Sequence, residues 1–153
     1  MLSHLNIIAN IVQGALLDDP GRKHNKISTQ ATLGLLPLSH IYGLTVNALI
    51  SQYRGDECVI LPKFELASLL SAIQRFKLEQ LNLVPPILIQ LVSSKETDKY
   101  DLTSVRFAFS GAAPLGIELT QDLLKKFPSW NVGQGYGKNP FPLLTSQEPC
   151  LQY

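Results

Sequence analysis

Three short stretches of this chain combine small residues with groups that can bind a ligand or move a proton. They are PLSHIYG at Pro37 to Gly43, SGAAPLG at Ser110 to Gly116 and GQGYG at Gly133 to Gly137. An imidazole such as His40 changes charge near neutral pH and can serve as donor or acceptor. Glycine and alanine, as at Gly111, Ala112 and Ala113, let the main chain approach a ligand closely, and amides exposed in such turns can cradle an anion. Tyr42 and Tyr136 each add a ring face and a hydroxyl.

Two sharper motifs fail on spacing. A dinucleotide fingerprint needs glycines at G-x-G-x-x-G opening a helix, whereas Gly133, Gly135 and Gly137 are evenly spaced and run into Pro140. A Rossmann dehydrogenase is therefore excluded. A serine hydrolase needs G-x-S-x-G, but Ala108 and Ala112 stand two residues either side of Ser110, and His40 precedes the serine. Taken singly, each remaining residue has an ordinary structural reading. His40 reads as a helix-start residue bonded to backbone, SGAAPLG as a strand-to-helix connection packed with small residues, Tyr42 and Tyr136 as half-buried aromatics, and Lys63 as a solvated side chain. Only the set, in this order, points to a site.

Positioning such residues requires a regular frame, and the chain supplies one. Apolar, β-branched segments begin at Ala31 (ATLGLL), Glu57 (ECVIL), Gln80 (QLNLV), Ser104 (SVRFAF) and Trp130 (WNVGQG), each reading as a buried strand. Helical segments alternate with them: HIYGLTVNALISQYR, FELASLLSAIQRF, PPILIQLVSS and PLGIELTQDLLKKF. Leu66, Leu69, Leu70 and Ile73 make one apolar stripe, as do Leu119, Leu123 and Phe127. The alternation predicts an α/β domain with a largely parallel sheet flanked by helices and right-handed crossovers. In such sheets the ligand crevice lies beyond the carboxyl ends of the strands, and the three stretches fall there, with Pro62–Lys63 and Pro85–Pro86 after the other two strands. The N-terminal MLSHLNIIANIVQGALLDD reads as an amphipathic helix, Asp18 to Gln30 as an exposed loop, and Lys138 to Tyr153, with three prolines and no helical or strand period, as a poorly ordered tail.

Bulk composition narrows the partners. With 45% hydrophobic residues and a formal charge of +1 over 153 residues, the chain can bury a core and carries no basic footprint for nucleic acid. Cys58 and Cys150 lie in no metal-ligand spacing, which suits a reducing compartment. No apolar run approaches the roughly 20 residues of a membrane span, no basic region precedes the first helix, and the C-terminal residues are not a peroxisomal address. A soluble, cytoplasmic protein is expected, with no transmembrane segment and no pattern that encodes an oligomeric state.

In order along the chain, LSH-N-IAN at the start, LPLSHIYG, NLVPPILIQL, DKYDLTSVRFAFSGAAPLGIEL and GQGYG closely resemble the adenylate-forming (AMP-binding) acyl-CoA synthetases, coumarate-CoA ligase and luciferase-like branch. The resemblance covers Leu2 to Gly137 and implies a partial N-terminal domain of the adenylate-forming fold, with residues 1–137 its central part and 138–153 a divergent tail. It implies the family's reaction: a carboxylic acid attacks the α-phosphate of ATP to give an acyl-adenylate and pyrophosphate, and the CoA thiol then displaces AMP. ATP and CoA enter as co-substrates, and Mg2+ offsets the phosphate charge. Carried over by motif, His40 would be the catalytic residue bordering the acyl and α-phosphate site, and Tyr42 would line the acyl pocket. Ser110, Gly111, Ala112, Ala113 and Pro114 would form the wall shared by adenine and acyl group, while Gln134, Gly135, Tyr136 and Gly137 would complete the adenine site. The resemblance admits an aromatic or a fatty acyl guest, and full-length relatives can be peroxisomal.

The chain departs from the family after Gly137. A variable residue, a threonine and a glutamate would follow there, holding the α-phosphate and magnesium, but this chain has Lys138, Asn139 and Pro140. Proline offers a hard cation nothing, so no metal ligand is assigned. The resemblance also implies a phosphate loop before LSH, and a ribose-binding aspartate, hinge and C-terminal catalytic lysine after Gly137, none of which matches residues here. A ligase-domain fragment inactive alone is expected, with no cofactor assured. The alternatives are a non-catalytic nucleotide- or acyl-binding module, or a non-functional remnant.

Overall fold

In the computed structural model, residues 3–138 and 141–149 are described. Helix α1 (His4–His24) opens the chain. Ser3 caps it by accepting from the Asn6 amide at 3.3 Å, while Asn6 Oδ1 accepts from the Ser3 amide at 3.0 Å. This reciprocal pair satisfies two of the donors a helix start leaves unpaired. The helix runs on through Pro20 into the segment read above as a loop. Arg22 accounts for that extension. Its guanidinium donates to both Asp56 carboxylate oxygens at 2.7 Å and to the Ser28 carbonyl at 2.9 Å, tying the last turn to the chain ahead of the second strand.

The strands β1 (Ala31–Gly34), β2 (Glu57–Ile60), β3 (Gln80–Leu83), β4 (Phe107–Ser110) and β5 (Asn131–Lys138) are mutually parallel, in the order β2-β1-β3-β4-β5. The five expected strands and the parallel α/β class are thus present, although β4 starts at Phe107 rather than Ser104. Among these strands β2 is at the edge and partly exposed, whereas β1, β3 and β4 are buried along most of their length.

Between β1 and β2 lie a π-helix (Gly43–Ile50) and the short α2 (Ser51–Arg54). The later crossovers carry α3 (Leu66–Phe76), α4 (Pro85–Ser93) with a 3-10 turn (Lys95–Lys99), and α5 (Ile117–Lys126). The strand order changes direction between β1 and β3. A constant right-handed crossover then requires the helix to change faces, because the path across the sheet has reversed. The side chains show that change: α3, α4 and α5 cover one face, and the π-helix with α1 the other.

On the first face Leu33, Leu81, Leu83, Ala108 and Val132 meet Leu69, Leu70, Ile73, Leu88, Leu91 and Leu123 in one core. On the second face the apolar cluster is small, Tyr42, Val46, Ile50 and Phe109, with Ile11, Leu36 and Phe107 at its margin. Helix α1 was read as amphipathic, yet its Leu5, Ile8 and Leu16 are mostly exposed while Asn10 is buried. Ile11 packs inward at the margin of that cluster, but these three apolar residues do not.

The backbone of Phe141–Pro149 forms β6, antiparallel to β5, with Gln134 opposite Glu148 and Lys138 opposite Phe141. A strand edge with unpaired backbone groups is a ready template for pairing, and β6 supplies that partner where the sequence shows no strand period. Its prolines 142 and 149 suit an edge strand, which tolerates missing donors. Residues 139, 140 and 150–153 of the expected tail lie outside the described residues.

Candidate functional site

Tyr42, in the segment after β1, meets the carboxyl ends of β3 and β4. The turn after β1 is closed by the His40 amide donating to the Pro37 carbonyl at 3.0 Å, and the Leu44 amide continues it into helix by donating to His40 at 2.9 Å. His40 Nδ1 accepts from the Tyr42 amide at 3.1 Å. This is the helix-start role that the residue type alone suggests. An accepting Nδ1 leaves Nε2 as the ring's N–H donor, and the side chain is exposed.

Tyr42 is buried, and its hydroxyl donates to the Phe109 carbonyl at 3.0 Å and lies 3.4 Å from the Leu83 carbonyl. These carbonyls sit near the ends of β4 and β3, so one side chain clamps the π-helix across both strands. Burial raises the phenol far above its usual value, keeping it a neutral donor. The ring meets Phe109 edge-on at 5.9 Å between centroids.

Gly111 is small for a reason visible here. A Cβ on it would stand 2.7 Å from Tyr42 Cε1, so the ring fits only while position 111 has no side chain. Gly133 and Gly135 have the same explanation, since added Cβ atoms would stand 2.7 Å from Phe107 Cζ and 2.5 Å from Phe109 Cζ. The even glycine spacing that ruled out a dinucleotide loop is thus the period of a strand facing two phenylalanines.

The loop Ser110–Pro114 joins this arrangement through backbone. The Gly111 amide donates to the Leu83 carbonyl at 3.2 Å, and Ala112 adopts a left-handed φ of 67°, uncommon for a residue with a Cβ. The Leu115 amide donates to Gln134 Oε1 at 3.2 Å, so the predicted adenine-site glutamine holds the far end of the loop to β5. Ala112, Ala113 and Pro114 are left exposed along the crevice wall, whereas Ser110 is fully buried and its hydroxyl has no hydrogen-bond partner. Tyr136 and Gly137 continue β5 beyond its pairing with β4. The Tyr136 side chain lies outside the described set.

The structure therefore brings together Tyr42, Gly111 and Gln134 with the loop between them. Among the described residues no hydrogen bond joins His40 to that loop. Phe109, which the sequence reading passed over, is the platform beneath Tyr42; its signal was the FAF alternation facing the spaced glycines.

Magnesium would require oxygen donors, carboxylates above all. Pro37–Tyr42, Ser110–Pro114 and Gln134–Gly135 contain no carboxylate, and no cluster of three or more potential ligands occurs among the described residues. These residues do not fit the ion. A cavity of about 350 Å³ lies elsewhere, lined by Ala15, Leu16, Arg22, Tyr53 and Arg54 among others. Its arginines are engaged with Asp56 and with the Gly14 carbonyl, at 2.6 Å for the latter, so it is a separate feature from the strand-end crevice. No helix among the described residues is long and apolar enough to cross a membrane.

A parallel sheet that reverses order between β1 and β3, with backbone loops and an aromatic clamp at its carboxyl ends, defines a ligand-binding α/β domain. Residues 1–139 match the family model described as AMP-binding enzyme, and the chain belongs to that family. It is 41% identical over 137 residues to 4-coumarate–CoA ligase 1 of Arabidopsis thaliana, covering 90% of this chain and 24% of that protein. Among solved structures it resembles a natural red-emitting luciferase from Phrixothrix hirtus (30% identity, TM-score 0.66, 71% of this chain and 26% of the other). The N-terminal domain of FACL13 from Mycobacterium tuberculosis is similar at 27% identity and a TM-score of 0.65, over 71% and 27% of the two chains. The chain spans about a quarter of the length of the curated relatives it matches.

Proposed function

We propose that this chain is an acyl-CoA ligase domain fragment whose crevice receives an adenine nucleotide and the acyl group of a carboxylic acid. The observation that carries the reading is the Tyr42–Gly111–Gln134 constellation at the carboxyl ends of β3, β4 and β5. In the reaction assigned, the carboxylate attacks the α-phosphate of ATP, pyrophosphate leaves, and a CoA thiol displaces AMP from the adenylate. The exposed turn Ala112–Pro114 borders the base and the acyl group, Tyr42 walls the acyl side, and His40 presents its Nε2 proton toward the developing phosphate charge. Tyr136 completes the adenine site by stacking.

The chain does not complete this reaction alone. Acyl activation is catalysed by positioning and by charge stabilisation at the phosphates. The stretches assigned to the crevice, Pro37–Tyr42, Ser110–Pro114 and Gln134–Gly135, contain no lysine or arginine for the phosphates and no carboxylate for a metal. The test incubates the purified chain with ATP, magnesium, CoA and a panel of aromatic and fatty acids, reading AMP release. AMP at the level of the protein-free blank is expected; acid-dependent turnover would overturn the inactivity.

A further inference from the structure

We infer that this chain dimerises by exchanging β6: the strand Phe141–Pro149 of one copy pairs with β5 of a second copy, and the reverse. The partner is a second copy of this chain, and the inference stands independently of the crevice.

The pairing of β5 with β6 is thinly specified. Strand β5 carries glycine at 133, 135 and 137, and a glycine-rich strand fixes its partner's register weakly, which opens it to alternative pairing and exchange. The register shows the consequence. Gln134 stands opposite Glu148, yet Tyr136 stands opposite Thr145 and Lys138 opposite Phe141, so the ladder shifts twice. The nine residues of β6 face only residues 133–138 of β5, and the surplus residues at such shifts interrupt the ladder. Pro142 and Pro149 withdraw further donors.

The connection decides between one chain and two. With Lys138 opposite Phe141, only Asn139 and Pro140 are left to reverse the chain. Two-residue hairpin loops favour turns with positive φ at both residues, or with glycine at the first. Proline holds φ at about −65° and cannot take the second place of the former, and the residue before a proline is pushed toward extended backbone. Proline suits the first loop position of a turn, whereas in this register it would stand second. An extended Asn-Pro connection meets both preferences and carries β6 away from its own β5. Closed and exchanged forms share the same β5–β6 pairing, so the balance between them is set by this connection and by chain concentration. A two-fold pair fills both β5 edges at once and closes on itself, leaving no further strand to recruit a third copy.

The test is light scattering behind size-exclusion chromatography on this chain over a range of concentration. A species of two chain masses is expected. It should convert mainly to one chain mass in Pro140→Gly, which supplies the favoured Asn-Gly loop, and with a short glycine insertion after Asn139, which lets β6 fold back. The exchange itself is read by mixing copies carrying Gln134→Cys with copies carrying Glu148→Cys, both with Cys58→Ser and Cys150→Ser, then refolding and oxidising them together. A disulfide joining the two kinds of chain is expected, because these positions oppose each other across the ladder. One chain mass at every concentration overturns the inference. A dimer that both connection variants leave intact, or that forms without the mixed disulfide, is a contact between whole chains and overturns it as well. If a cysteine variant does not fold, the two connection variants decide.

Discussion

The two faces of the sheet are built on opposite principles. Beneath α3, α4 and α5 lies a leucine core in which Leu33, Leu69, Leu70, Leu81, Leu83 and Leu88 are fully buried and none needs a polar partner. Beneath the π-helix the buried residues include Asn10, Thr32, Asn47, Ser51 and Asn82, with only four well-buried apolar neighbours. One face holds the domain together by removing apolar surface from water. The other trades part of that stabilisation for the groups around Tyr42, and the π-helix that carries them is a conformation found often at functional sites.

Truncation on the leucine face should have the largest effect. Leu81→Ala is expected to destabilise by about 2–5 kcal/mol, read as a lower urea midpoint with the slope unchanged. A loss below 1 kcal/mol would place the core elsewhere.

Gly111→Ala should cost about 1–3 kcal/mol by overpacking, because the new methyl meets the Tyr42 ring. If that contact is the cause, Gly111→Ala should cost much less in a Tyr42→Ala background than in the native one, and a double-mutant cycle measures the coupling. Additive effects would show that the close approach is not what the glycine serves. Tyr42→Phe, which removes only the hydroxyl bonded to the Phe109 carbonyl, should cost about 1 kcal/mol.

Asn47→Leu sharpens the contrast by its sign. Neither polar atom of the buried Asn47 amide has a hydrogen-bond partner, so a hydrocarbon of similar size should raise the unfolding free energy by on the order of 1 kcal/mol; a clear loss would mean that the amide is hydrogen-bonded in solution.

The smallest effect concerns acid. The hydrogen bond from Lys77, with those from the Thr103 side chain and amide, holds the Asp101 carboxyl well below the usual range. A carboxyl lowered in the folded state contributes stability above its unfolded value of about 4, lost as pH falls toward the folded value. The group is fully exposed and solvent screening is strong, so Asp101→Asn should only slightly flatten the acid limb of a stability–pH curve. An unchanged limb would show that the ion pair contributes nothing measurable.

Much of this architecture was legible because periodicity reports burial. Leu66, Leu69, Leu70 and Ile73 at helical spacing became the inner stripe of α3, and the runs at Ala31, Glu57 and Gln80 became strands starting at those residues. The end of α1 was not legible, since its continuation through Pro20 depends on the ion pair of Arg22 with Asp56, 34 residues away. No local pattern encodes such a contact. At the site, Tyr42, Gly111 and Gln134 were marked by motif, but what they touch was not. Phe109 was hidden because an aromatic in a buried strand looks like ordinary core until the glycines facing it are seen. The burial of Asn47 and Asn82 was hidden because a single polar residue in an apolar run carries no period.

The proposed function makes the crevice at the carboxyl ends of β3, β4 and β5 a nucleotide site on a chain that does not turn over alone. Calorimetric titration of the purified chain with AMP tests it most directly. Saturable binding at one site per chain is expected, weakened in Gly111→Ala, where the added methyl meets the Tyr42 ring at the crevice wall. A flat titration of a cooperatively folded chain would contradict it.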